Sequence, residues 1–122
     1  MLVRPRGRRR HACAAADKVL SRWTATIIGP AHSAHENRIY SLNVVCGESY
    51  PDRPPEVSFI TQINLPCVGA DGRVNAQLFP LLQQWQRSYT LEKLLIELRR
   101  EMARPGNRTL AQPPEGTMYN TL

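Results

Sequence analysis

The sequence has no uninterrupted apolar run near the ~18 residues of a membrane-spanning helix, so none is read from it. Its basic opening, Arg4 to Arg10, leads into no apolar stretch of signal-peptide length, and secretion is not expected. Cysteine is scarce: Cys13, Cys46 and Cys67 are an odd number with no C-x-x-C spacing. That speaks against a disulfide framework and for reduced thiols in a cytosolic or nuclear setting. Acidic residues are absent from residues 1–16, where Arg4, Arg6, Arg8, Arg9 and Arg10 supply five positive charges. The other 106 residues hold 11 basic and 10 acidic groups, so the net charge of +6 belongs to an arm and the remainder is nearly neutral. No internal repeat is present.

What remains is an ordinary globular composition, with 42% hydrophobic and 21% charged residues in 122, enough for one domain and one modest core. Residues 1–16 are expected to be a poorly ordered arm and residues 17–122 the domain. Trp23 to Ile28 is β-rich and ends at the breaker Gly29-Pro30. A polar loop, Ala31 to Glu36, leads to Asn37–Cys46, where Ile39, Leu42 and Val44 interleave with polar residues as in a half-buried strand. Tyr50 to Pro55, with three prolines, is a rigid extended connection, and Glu56 to Ile63 reads as a third strand.

From Asn64 to Ser88 the pattern is irregular, yet Val68, Val74, Leu78, Phe79, Leu81, Leu82 and Trp85 are apolar anchors for a segment packed onto something. One helix is unambiguous. Leu91, Leu94, Leu95, Leu98 and Met102 form a single stripe, with Thr90 as its N-cap, Lys93 and Glu97 as an i,i+4 pair, and Pro105-Gly106 as its stop. Three strands in meander order followed by a helix predict an α+β layer, an antiparallel sheet with a helix over one face.

Trp23-x-x-x-Ile27-x-Gly29-Pro30 followed by Tyr50-Pro51-x-x-Pro54-Pro55-x-Val57-x-Phe59 resembles the ubiquitin-conjugating (UBC) fold. Glu36 to Leu42, Ile63 to Val68 and Gln112-Pro113-Pro114-Glu115-Gly116 resemble more closely its ubiquitin-conjugating enzyme variants, over about Asp17 to Tyr119. Active members carry a His-Pro-Asn turn and, eight residues after its Asn, a nucleophilic cysteine. Here Leu65-Pro66-Cys67 stands for that turn and Asn75 for the cysteine, with no gap between. A carboxamide forms no thioester, and a thiol does not replace the Asn donor that stabilises the oxyanion.

The resemblance implies a non-catalytic subunit that pairs with an active conjugating enzyme and holds an acceptor ubiquitin, giving lysine-63-linked chains. It places Thr26 and Ile39 on the ubiquitin-binding face, implies no cofactor, and suggests work in DNA damage tolerance in nucleus and cytoplasm. Family members also begin with a helix and a further strand, and grip the partner largely through that segment. Here the Arg-rich arm stands in their place, which leaves the sheet one strand short at an edge. A truncated or mis-joined N-terminus is the favoured explanation, and a different mode of dimerisation is the other.

Three further readings compete. A conjugating enzyme could use Cys67, although no base lies near it in sequence and a buried structural thiol is the simpler account. Cys46 reads as a core thiol in the same way. His32 and His35 sit three apart beside Glu36, but nothing is spaced to complete a zinc set, so a solvated loop is expected and no metal. The arm could bind nucleic acid through phosphate neutralisation, or a peptide, or act as a targeting sequence. No aromatic is interleaved with its arginines, and a tail without a partner remains the plain alternative.

Overall fold

The computed structural model describes residues 2–6 and 21–119. Its strands are β1 (Leu2–Arg6), β2 (Ser21–Ile28), β3 (Ile39–Cys46) and β4 (Glu56–Phe59), all antiparallel in the order β1-β2-β3-β4. A 3₁₀ turn (Ala76–Leu78), a one-turn helix α1 (Pro80–Gln83) and the helix α2 (Leu91–Ala103) follow. The expected α+β architecture is present, with four strands where three were expected.

The fourth strand corrects the sequence-based expectation. Leu2–Arg6, expected to be part of a poorly ordered arm, pairs along β2 from Arg6 opposite Arg22 to Leu2 opposite Thr26. An edge strand lacking any apolar period leaves only a weak trace in sequence; here the free donors and acceptors of β2 supply the pairing. Pro5 is tolerated because an edge strand need not donate at every position. Residues 7–20, including Arg8, Arg9 and Arg10, lie outside the described residues.

Strict alternation organises the sheet. Trp23, Ala25 and Ile27 of β2, Tyr40, Leu42, Val44 and Cys46 of β3, and Val57 and Phe59 of β4 are buried. Their neighbours point to the opposite face, as a period of two requires. Ile39 is therefore out of phase with Leu42 and Val44 and is 61% exposed. Helix α2 packs against β2 and brings Leu94, Leu95, Leu98 and Met102 to the core, each essentially without solvent contact. Full burial of one such leucine stabilises by about 2 kcal/mol. Thr90 caps the helix by accepting from the Lys93 amide at 3.1 Å. The helix ends at Ala103 because Arg104, preceding Pro105, is extended (φ −61°, ψ 144°).

Some local expectations change. The Glu97 carboxylate pairs with Arg100 (2.9 Å), not Lys93, whose ammonium lies over the Tyr89 ring at 5.3 Å. Leu78, expected to be an anchor, is exposed, while Phe79 and Leu82 are buried. Cys46 is buried but not a reduced thiol: it is disulfide-bonded. His35 is not in a solvated loop but fully buried.

Candidate functional site

Two regions hold the residues that the sequence singled out. The first is the irregular segment beyond β4. Its chain runs back antiparallel to β4 at Arg73 opposite Ser58, and closes on itself at Val68 opposite Val74. Gly72 makes the approach possible. Its φ is +91°, and a Cβ there would sit 2.6 Å from the Phe59 carbonyl oxygen. The return brings Asn75 beside Cys67, with the Asn75 amide donating to the Cys67 carbonyl at 2.7 Å.

The chemistry at these two positions is inert. The Asn75 side-chain oxygen accepts from the Gln77 amide at 2.9 Å and caps the 3₁₀ turn, so it is engaged as a structural cap. Cys67 is a buried free thiol whose pKa is pushed up to about 11, chiefly by burial and further by the Glu101 carboxylate. A thiol held protonated at neutral pH is a poor nucleophile. Among the described residues no three of His, Cys, Asp and Glu cluster to hold a metal. A cleft of about 640 Å³ at the Arg22, Glu56 and Arg73 end of the sheet contains neither histidine nor cysteine.

The second region is the sheet face turned away from α2. Ile28 stands opposite Ile39 and Thr26 opposite Ser41, so Thr26 and Ile39 are diagonal neighbours on that face. The structure thus brings both sequence-predicted residues together. Ile39 is exposed at 61% and Thr26 is half-buried. Ile28, 48% exposed, was not singled out from sequence. Its signal was available: once Trp23, Ala25 and Ile27 point inward, Ile28 has to point outward.

The loop between β2 and β3 sets this face. The Gly29 amide donates to the Arg38 carbonyl at 2.8 Å, and the Arg38 guanidinium donates to the Pro113 carbonyl, tying the loop to the C-terminal strip. His35 fills the loop's underside. Neither of its ring nitrogens makes a hydrogen bond. Burial lowers its pKa from the ordinary 6.5, the Arg38 charge adds to that, and a backbone group of Asn64 opposes it.

Folding therefore favours neutral His35. Its contribution is complete above pH 6.5 and is lost as pH falls through the lower folded value. Denaturant unfolding at pH 7.5 and 5.5 is expected to show lower stability at 5.5, with the difference reduced in His35→Gln. An equal pH difference in both proteins would exclude His35 as its source.

Comparison with known proteins agrees with this geometry. Residues 4–121 match the family described as ubiquitin-conjugating enzyme. The chain is 53% identical over 104 residues to the ubiquitin-conjugating enzyme variant MMS2 of Saccharomyces cerevisiae, covering 84% of this chain and 75% of that protein. Identity to the ubiquitin-conjugating enzyme spm2 of Schizosaccharomyces pombe is also 53%, with the same coverage. It is 48% to the ubiquitin-conjugating enzyme E2 variant 1C of Arabidopsis thaliana, covering 84% and 72%. Among solved structures, human ubiquitin-conjugating enzyme E2 G1 superposes with a TM-score of 0.63 at 30% identity, over 69% of this chain and 70% of that one. The chain belongs to the ubiquitin-conjugating enzyme family, as one of its non-catalytic variants.

Proposed function

We propose that this protein pairs with an active ubiquitin-conjugating enzyme and holds an acceptor ubiquitin on the outer face of β2 and β3, so that lysine 63 of the acceptor meets the partner's thioester. The observation that carries the proposal is the combination of an exposed apolar face around Ile39 with an inert Asn75–Cys67 pair. Such a subunit needs no reactive group. It accelerates transfer by fixing nucleophile and electrophile in register, which removes much of the entropic barrier. Thr26 offers a hydroxyl and Ile39 an apolar anchor, suited to a weak contact that releases its product.

The test is a reconstitution of activating enzyme, ATP, ubiquitin and a lysine-63-type conjugating enzyme, with and without this chain. Addition of the chain should raise chain formation by about tenfold or more. No increase from folded protein would reject the proposal. A second expectation concerns the chemistry. Asn75→Cys should form no chains when the partner enzyme is omitted, because Cys67 still stands where an oxyanion donor is needed. Chains made by that variant alone would show that a thiol at this position suffices.

A further inference from the structure

We infer that Ile28 is a second apolar contact for the acceptor ubiquitin, acting with Ile39 as one cross-strand pair; this rests on the reading of the outer face just proposed. The register makes Ile28, Ile39, Thr26 and Ser41 a two-by-two block, with Thr26 and Ile39 on one diagonal. Ile28 adjoins both ends of that diagonal, next to Thr26 on the same face of β2 and directly opposite Ile39 on β3. Isolated exposed isoleucines are ordinary, but two side by side on a half-polar face form a patch that a partner can desolvate. Of the exposed large hydrophobics among the described residues, Ile28 and Ile39 alone face each other across paired strands; Leu78 lies on the 3₁₀ turn and Met118 beyond α2.

The pair is also held ready. The Arg99 side chain donates from Nε to the Ile28 carbonyl at 2.9 Å and ties the end of β2 to α2. The Gly29–Arg38 backbone bond fixes the turn that joins the two isoleucines. Both side chains are β-branched and restricted at χ1, so little freedom is lost on binding.

The test is titration of isotope-labelled ubiquitin with the intact chain and its Ile28→Thr and Ile39→Thr variants, thermal unfolding being measured in parallel. Threonine keeps the branched, strand-favouring shape and removes apolar surface. Each substitution should weaken binding by about fivefold, and the double variant by less than the product, since one patch is shared. If Ile28→Thr lowers the unfolding temperature, Ile28→Val replaces it and should weaken binding by about twofold.

Weakening by Ile39→Thr with unchanged affinity in the Ile28 variant would overturn this inference and leave the outer-face reading standing. Unchanged affinity in both, with wild-type protein still binding, would overturn that reading and this inference with it. So would the absence of any binding by the wild-type chain.

Discussion

Replacing Ile39 by aspartate should reduce stimulation of chain formation to the level of the partner enzyme alone while leaving the domain folded. The substitution puts a carboxylate at the centre of the apolar pair, and seating ubiquitin there would strip its water with no cation among Thr26, Ile28 and Ser41 to compensate. Ubiquitin affinity should fall by at least about tenfold. Stability should change by ~1 kcal/mol or less, because the side chain is already 61% exposed and only strand preference is lost. The measurement is initial chain rate beside a thermal unfolding curve. Full stimulation from a folded Ile39→Asp protein would show that ubiquitin is held elsewhere.

Gly29→Ala should be the most damaging single methyl addition near this face. A Cβ at Gly29 would lie 1.6 Å from the carbonyl oxygen of His35 and 2.9 Å from its Cβ. No rotamer change relieves an overlap with backbone, so the loop must move. That movement breaks the Gly29–Arg38 hydrogen bond and lifts His35 from its enclosure. A cost of ~3 kcal/mol or more is expected, a large share of a typical domain's 5–15 kcal/mol. The unfolding midpoint should drop by about 10 °C or more. Ubiquitin binding should weaken with it, since Ile28 and Ile39 flank the same loop. A drop of less than ~3 °C, measured by circular dichroism, would mean that the loop relaxes without cost.

The parts of the fold written in local pattern were legible without coordinates. The leucine stripe gave α2 and Thr90 its cap, because both depend on neighbours within one turn of helix. β2 to β4 followed from alternation and breakers, although β4 stops at Phe59 and not Ile63. What depended on distant partners was not legible. β1 carries no apolar period and exists because β2 offers an unpaired edge. His35 looks like a loop residue until the return of the chain at Gly29 encloses it. The disulfide at Cys46 is hidden by an odd cysteine count.

The candidate site divides in the same way. That Asn75 and Cys67 stand where active members carry the cysteine and the Asn came from the family resemblance; that a carboxamide forms no thioester follows from residue type. That they share a backbone hydrogen bond follows from the return of the segment at Gly72. Thr26 and Ile39 came from family resemblance; their diagonal adjacency, and the place of Ile28 beside them, came from register.

The central claim is that this chain accelerates attack by one particular lysine on a thioester carried by another protein. The most direct measurement is single-turnover discharge. The partner enzyme is charged with a donor ubiquitin lacking lysine 63, then chased with acceptor ubiquitin in the presence or absence of this chain. The account predicts discharge to acceptor about tenfold or more faster with the chain present, and no such gain when the acceptor also lacks lysine 63. Equal rates with and without the chain, or equal stimulation with an acceptor lacking that lysine, would contradict it.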